Sequence, residues 1–275
     1  MDANPITGSD VAKPVVGMVH LPPLPGAPRY DRAAGRAHLH EVARRDAERL
    51  AAGGVDAVVV ENFGDAPFYP EDVPDHVVAE LTALARTVRE AADLPVGVNV
   101  LRNDGPAAVA AAAAAGADFV RVNVHVGARV ADQGILEGRA HETMRLRERI
   151  DADVALLADV DVKHSAPLAA ESYEAESLAE ATERGLADGV VVSGPRTGEA
   201  TALEDVERAV ARRDDLGTGA PVFVGSGVTA ETIGDLLAVA DGVVVGTALK
   251  EGGETTAPVS VDRVADLVAA ADGVR

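Results

Sequence analysis

Residues 221–229 read Pro-Val-Phe-Val-Gly-Ser-Gly-Val-Thr, a short apolar run that stops at Gly225 and passes through Ser226 and Gly227 into a helical pattern. A brief run of apolar, β-branched residues bounded by turn residues is typical of a strand buried on both faces of a parallel sheet. A strand that leads directly into a helix predicts a βα unit.

The same unit recurs along the whole chain. The predicted strands are Val15–His20, Ala57–Glu61, Val96–Val100, Phe119–Asn123, Val154–Val160, Gly189–Ser193, Pro221–Gly225 and Gly242–Gly246. The predicted helices are Arg36–Ala52, Asp75–Ala92, Pro106–Ala115, Arg139–Ile150, Ser172–Arg184, Leu203–Arg212, Thr229–Ala240 and Val261–Ala271. This alternation predicts an α/β fold, the single-domain (β/α)8 TIM barrel, over residues 14–275, preceded by an N-terminal tail at residues 1–13. A doubly wound open sheet is the alternative, but no glycine fingerprint follows the first strand.

The connections between elements differ in length. The helix-to-strand links are minimal, as in Gly116-Ala117-Asp118, whereas residues 21–35, 62–74 and 124–138 form long strand-to-helix loops. Long loops call for a reason, because connections in compact domains usually take about 4–6 residues. In barrels these loops build the active site. We therefore expect a stiff wall at residues 21–35 and a mobile lid at residues 124–138, with an oligomer contact as the alternative.

Composition excludes several classes of function. The chain has 25 Lys and Arg against 45 Asp and Glu, a net charge of −20. This charge disfavours nucleic acid and anionic membranes as partners, because both are bound by clustered basic residues. The absence of Cys excludes disulfides and Cys-ligated metal centres.

The ratio of lysine to arginine indicates the kind of solvent to which the protein is adapted. Only three of them are lysines, namely Lys13, Lys163 and Lys250. Acidic excess with scarce lysine predicts adaptation to concentrated salt, since a Debye length of about 3 Å at roughly 1 M salt screens self-repulsion. No stretch resembles a signal peptide or a membrane span, so we expect a cytoplasmic protein.

Polar residues are concentrated where the predicted strands end. Alternate residues of a strand share a face, so residues of one parity are expected to converge on a polar basin inside the barrel mouth. Charged groups in such a place are costly to desolvate, and their clustering indicates a site. The predicted catalytic residues are Glu61, Asn99, Asn123, Asp159, Asp161 and Lys163, with His20, Arg121, His125 and Ser193 beside them. The structural alternative is an ion pair of Arg121 with Asp159 or Glu61.

Lys163 lies between Asp161 and His164 at the end of a predicted strand. Nearby carboxylates favour its ammonium form, which argues against imine chemistry and for phosphate binding or acid catalysis. Glu61, Asp159 and Asp161 offer oxygen ligands suited to Mg²⁺, but no metal-binding spacing is present. The sequence thus requires no cofactor and leaves Mg²⁺ as an alternative.

Two strand ends carry the pattern of a phosphate site. Glycines let the backbone approach an anion, and hydroxyls and amide N–H groups at a helix start donate hydrogen bonds to it. The loops after the seventh and eighth strands hold phosphate in many barrels. The predicted phosphate-binding residues are Gly225, Ser226, Gly227, Gly246 and Thr247, joined by Ser193 and Gly194, with Lys250 as a further helper.

Several of these motifs resemble one known family. They are VGMVHLPPLPG at 16–26, ENFGD at 61–65, DVDVKHS at 159–165 and VVSGPRTG at 191–198. Together with residues 225–229 and 246–250, they make the chain similar to the BtpA/SgcQ family over roughly residues 13–275. The resemblance implies a barrel like those that bind ribulose phosphate, which supports the phosphate prediction. The family is named for a role in photosystem I accumulation, and it implies no catalytic residue.

Three functions follow as hypotheses. The first is an enzyme that acts on a phosphorylated sugar or nucleoside-derived metabolite by isomerisation, carbon–carbon cleavage or glycosyl transfer. The second is a non-catalytic assembly factor, as in photosystem I biogenesis, and the third is a sensor of phosphorylated ligands. The expected partners are a small phosphorylated ligand and further copies of this chain in a homo-oligomer.

Overall fold

The computed structural model describes residues 4, 7–8, 11–162, 164–168, 177–194 and 201–275, with the side chain of Asp161 outside the description. The strands are β1 (Val15–His20), β2 (Ala57–Glu61), β3 (Val96–Asn99), β4 (Phe119–Val122), β5 (Ala128–Ala131), β6 (Gly134–Glu137), β7 (Ala155–Asp161), β8 (Ser165–Pro167), β9 (Gly189–Val192), β10 (Val222–Val224) and β11 (Gly242–Val245). The helices are α1 (Gly35–Gly53), α2 (Asp75–Ala92), α3 (Gly105–Ala115), α4 (Ala140–Arg149), α5 (Ser177–Ala179, continued by a π-helical turn over Glu180–Arg184), α6 (Leu203–Leu216), α7 (Ile233–Val239) and α8 (Val261–Asp272).

Eight parallel strands close a barrel in the order β1-β11-β10-β9-β7-β4-β3-β2. The predicted TIM barrel is confirmed, and the bounds of each barrel strand agree with the prediction to within one residue at either end. The helices surround the barrel between successive strands. Among the residues described, no helix has the length and apolarity needed to cross a bilayer.

The lower part of the barrel interior is apolar and closely packed. Phe119 and Phe223 are fully buried there with other inward-facing residues. Each ring lies where a side chain on a neighbouring strand would point, over Gly97 and over Gly242 respectively. These two glycines are therefore required by ring packing, and the inward-facing positions become polar only at the carboxyl ends of the strands.

Residues 124–138, predicted as a mobile lid, contain a regular structure. They form the hairpin β5–β6, which β8 extends into a three-stranded antiparallel sheet in the order β6-β5-β8. Leu136 is fully buried against Val124 and Val162 and anchors this sheet to the barrel. The glycines that suggested an irregular loop serve the turns of an ordered hairpin instead.

Four aspartates in the short helix-to-strand links hold the amino-terminal end of the barrel. At Asp118, Oδ2 accepts one hydrogen bond from the backbone N–H of Val96 at 2.8 Å and another from Arg89 Nη1 at 2.6 Å. Asp118 directly precedes β4, and Val96 is the first residue of β3, so the carboxylate ties two neighbouring strands together. The same pair of hydrogen bonds recurs at Asp56 with Val15 and Arg275, at Asp188 with Leu156 and Arg147, and at Asp241 with Val222 and Arg213. We call these four arrangements the aspartate clamps.

His125, predicted in the polar basin, lies elsewhere. Because β4 ends at Val122, strand parity no longer applies three residues later. The His125 ring is buried below α5, where Nε2 donates a hydrogen bond to the carbonyl oxygen of Gly185 at 2.8 Å. Its Nδ1 is buried and has no hydrogen-bond partner in the described part of the chain. Burial lowers the pKa of His125, because a proton on Nδ1 would be left unsolvated.

The clamps predict a specific loss of stability. Asp118→Ala leaves the N–H of Val96 without its acceptor and should lower the free energy of unfolding by about 1–3 kcal/mol. Arg89→Ala removes only a half-exposed ion pair and should cost less than about 1 kcal/mol. Urea unfolding followed by circular dichroism measures both. Equal losses in the two variants would show that the bond to Val96 contributes nothing.

His125 predicts a pH dependence of stability. The unfolded chain binds a proton on this ring near pH 6.5, whereas the folded chain resists it, so the free energy of unfolding should fall as the pH drops below about 6.5. His125→Gln, whose amide can still donate to Gly185, should lose less stability between pH 7.5 and 5.5 than the wild type. Urea unfolding at both pH values tests this, with the exposed His141→Gln as the matched control. Identical pH profiles for wild type and His125→Gln would refute the assignment.

Candidate functional site

A row of buried polar side chains lies above the apolar interior. The strand register places His20 opposite Glu61, Glu61 opposite Asn99, and Asn99 opposite Arg121. Asp159 completes the row from β7, and Glu61, Asn99, Arg121 and Asp159 are each at most 6% exposed. The structure therefore brings these predicted residues together inside the barrel mouth.

Arg121 and Asp159 form a bidentate ion pair. The guanidinium Nε and Nη2 donate to Oδ1 and Oδ2 at 2.8 and 2.9 Å, and Asn123 Nδ2 adds a bond to Oδ2 at 3.1 Å. Burial acts to lower the pKa of Arg121, but the charge of Asp159 outweighs it and raises that pKa above its ordinary value. Asp159 thus holds a permanently charged Arg121 in place, and both of its oxygens are occupied. Asp159 is therefore better suited to anchoring Arg121 than to accepting a proton from a substrate.

Glu61 is the less encumbered carboxylate of the mouth. Its Oε1 lies 3.8 Å from His20 Nε2, and within the described chain the carboxylate makes no hydrogen bond. His20 Nδ1 donates to the carbonyl oxygen of Thr255 at 3.3 Å, which leaves Nε2 directed towards Glu61. A carboxylate with free oxygens beside an imidazole can accept and return a proton.

The two asparagines present amide groups to the same space. Asn99 Nδ2 donates to the carbonyl oxygen of Arg121 at 2.8 Å and lies 3.3 Å from Asn123 Oδ1. Asn99 Oδ1 is buried without a partner among the residues described. Since buried polar atoms are normally paired, this oxygen is an acceptor available to a ligand hydroxyl.

Arg102 is a polar residue of the mouth that the sequence analysis missed. It follows the end of β3, is 5% exposed, and borders the same cavity as Glu61. Burial lowers its pKa, while the charges of Glu61 and Asp159 act in the opposite direction. Its position just after a strand end could have indicated in the sequence that it belongs to the mouth. Strand parity does not apply to it, however, because it lies beyond the last residue of β3.

The predicted phosphate loops line one cavity of about 310 Å³. Gly225, Ser226, Gly227, Gly246 and Thr247 all border it, together with Arg121 and Arg263. Ser193 and Gly194 lie behind this wall without lining the cavity: the N–H of Gly194 donates to Ser226 Oγ at 2.9 Å, and Ser193 Oγ accepts from Arg121 at 3.3 Å.

The cavity offers several hydrogen-bond donors. In the described chain, the backbone N–H groups of Gly227, Thr247 and Ala248 make no hydrogen bond. Gly227 adopts a left-handed φ of 67°, a conformation that favours glycine. Arg263 Nε donates to the carbonyl oxygen of Ala248 at 2.7 Å, which places its guanidinium at the cavity rim. The arrangement combines free amides with one buried and one exposed cation.

Lys250, predicted as a helper in phosphate binding, is engaged elsewhere. After β11 the chain turns through a 3-10 segment, Thr247–Leu249, which directs Lys250 outward against α1. Its Nζ lies 3.0 Å from Asp46 Oδ2, and both side chains are at most 3% exposed. The prediction for Lys250 is therefore wrong, because this lysine neutralises a buried aspartate outside the barrel.

The contacts described above do not test the predictions for Lys163, Asp161 and Mg²⁺. Lys163 and the side chain of Asp161 lie outside the described residues. No group of three metal-ligating side chains occurs in the described part of the chain. Glu61 and Asp159 are the described members of the predicted Mg²⁺ set, so Mg²⁺ binding stays a prediction.

Comparison with solved structures agrees with the barrel. Tryptophan synthase of Mycobacterium tuberculosis is similar with a TM-score of 0.58 and 21% sequence identity, over 94% of this chain and 93% of that chain. Identity this low supports the shared fold alone.

Sequence comparison identifies the family. A photosystem I biogenesis protein of Synechocystis is 43% identical over 263 residues, which cover 95% of this chain and 89% of the relative. An uncharacterized protein of Pyrococcus furiosus is 43% identical over 256 residues, 93% of this chain and 94% of that protein. The BtpA family profile matches residues 11–273. The chain therefore belongs to the BtpA family.

Proposed function

We propose that this protein is an enzyme acting on a phosphorylated sugar or nucleoside-derived metabolite, whose phosphate is held by the loops after β10 and β11. The main support for this proposal is the cavity of about 310 Å³, which is lined by free backbone amides and by Arg121 and Arg263. In a chain of net charge −20, two cations converging on one small cavity favour an anionic ligand. Glu231 and Asp266 also border this cavity, and both are exposed to solvent.

The proton-transfer group in this proposal is Glu61. It lies beside His20 and, unlike Asp159, carries no bidentate partner among the residues that the structure describes. General acid–base catalysis needs such a group close to the reacting atoms. Asn99 and Asn123 orient ligand hydroxyls, while Arg121 stabilises negative charge that develops during the reaction. Lys163 keeps its predicted role in phosphate binding or acid catalysis. Gly194 supports the phosphate loop through Ser226, and Ser193 accepts a hydrogen bond from Arg121.

A non-catalytic role is the second candidate. The name of the Synechocystis relative, a photosystem I biogenesis protein, favours it. In that case the polar mouth binds a ligand without turning it over, or serves only the stability of the barrel. Product analysis separates this candidate from the enzyme.

The phosphate site predicts binding that one substitution weakens. Ribose 5-phosphate and inorganic phosphate should raise the melting temperature of the wild type at constant ionic strength. Arg263→Ala should weaken the affinity for both by about ten-fold, since a charge-assisted bond is worth about 1.5–3 kcal/mol. Arg208→Ala on α6, an exposed arginine paired with Asp205, is the matched control. Loss of phosphate binding in neither variant, or no binding by the wild type, would contradict the site.

Glu61 predicts a separation of binding from turnover. Glu61→Gln keeps the size and polarity of the side chain but cannot accept a proton, so turnover should fall by about 10²–10⁴-fold. Its affinity for ribose 5-phosphate should stay within about three-fold of the wild type. Mass spectrometry of products after incubation with each stabilising sugar phosphate or nucleotide gives the rate. Binding without product in the wild type would favour the non-catalytic candidate.

A further inference from the structure

A second, wider cavity lies beside the proposed phosphate site. Its volume is about 810 Å³, and it extends from β1 towards β3 over the carboxyl ends of the strands. Pockets of about 300–1,000 Å³ are the usual size for small-molecule ligands. A phosphate alone is accommodated by the smaller cavity, so this larger space must accept another part of a ligand if it is used.

Part of the wall of the wide cavity is aromatic, which is unusual in this chain. The chain has only four Phe and no Trp. Phe119 and Phe223 fill the barrel core, whereas Phe63 and Phe68 are half-buried and line the wide cavity. Both phenylalanines that lie outside the barrel core therefore line the wide cavity.

Further apolar residues continue this wall. Leu21, Pro22 and Pro23 border the cavity from the loop after β1, and Leu101 borders it from the end of β3. Sugar hydroxyls placed against such a surface would lose hydrogen bonds to water without replacement. The wall therefore suits a flat apolar ring better than a second sugar.

His20 joins the two cavities. Its side chain borders both of them, and its ring lies 4.8 Å from the ring of Phe63, centroid to centroid, at an angle of 42°. A ligand with phosphate in the small cavity can thus extend past His20 and Glu61 into the wide one. The wide cavity also has polar edges: Glu61 offers an acceptor, while Arg29 and Arg102 offer donors.

We propose that the wide cavity is a subsite for a planar heteroaromatic ring, and that the ligand of this protein is a phosphorylated sugar carrying such a ring, as in a nucleoside monophosphate. The proposal rests on the proposed phosphate site and specifies what is attached to the phosphorylated sugar. The ring packs against Phe63 and Phe68, and its polar edge bonds to Glu61 or Arg102. The bond between ring and sugar then lies near His20 and Glu61, where the two cavities meet.

Affinity measurements with matched probes test the subsite. Adenosine, uridine and nicotinic acid riboside monophosphates are compared with ribose 5-phosphate by titration calorimetry. At least one ring-bearing probe should bind about ten-fold more tightly than ribose 5-phosphate, as expected for stacking of one base. Phe63→Leu and Phe68→Leu should each reduce this preference to about three-fold or less, with the affinity for ribose 5-phosphate unchanged.

Because the chain has no Trp, a tryptophan introduced by substitution can report where the ligand binds. Phe68→Trp introduces a single tryptophan into the cavity, and Tyr69→Trp places one on the neighbouring residue, which is 48% exposed and does not line the cavity. The ring-bearing probe that binds best should change the emission of the first variant and leave that of the second nearly unchanged.

Each failure has a distinct meaning. Ribose 5-phosphate binding that is sensitive to Arg263→Ala, without any preference for ring-bearing probes, overturns the ring subsite and leaves the phosphate site standing. A ring preference that survives both leucine variants also overturns the subsite. Equal affinity for adenosine and adenosine monophosphate overturns the phosphate site, and with it the proposal that ring and phosphate belong to one ligand.

Discussion

Each aspartate clamp joins a carboxylate oxygen to a backbone amide at the start of one barrel strand and to an arginine side chain. The four clamps lie before β2, β4, β9 and β11 and hold β1, β3, β7 and β10, so they tie the barrel strands in successive pairs. Relative register matters greatly here, because a shift of one residue would exchange interior and exterior side chains. The clamps at the amino ends therefore help to keep Glu61, Asn99 and Arg121 directed inward at the carboxyl ends.

The buried pair of Arg121 and Asp159 links this scaffold to the proposed chemistry. Removing either partner would leave an uncompensated charge in the interior, which is more costly than the pair itself. The pair fixes a cation that borders the small cavity, although the protein as a whole carries a charge of −20. The net charge therefore reflects the acidic surface of the protein, whereas the cations at the barrel mouth indicate the charge of the ligand.

Much of the barrel and its mouth was predictable because it depends on periodicities that are local in the chain. Alternation of apolar runs predicted the barrel strands, and strand parity directed Glu61, Asn99, Arg121 and Asp159 to one interior. Parity failed for His125 and the outward turn was missed for Lys250, because both residues lie beyond the last hydrogen-bonded residue of their strands. Arg102 was missed for the same reason, since the loop after β3 carries it back into the mouth.

The amino-acid sequence by itself determined the order of strands and helices, the two glycine-containing loops, and the residue types available at the mouth. These properties follow from side-chain chemistry and from repeat lengths of two and 3.6 residues. Only the tertiary structure decided which charges pair: Arg121 with Asp159, and Lys250 with Asp46. It also placed Phe63 and Phe68 around a second cavity. Such pairings join residues far apart in the chain, and they depend on distances in space that no local pattern contains.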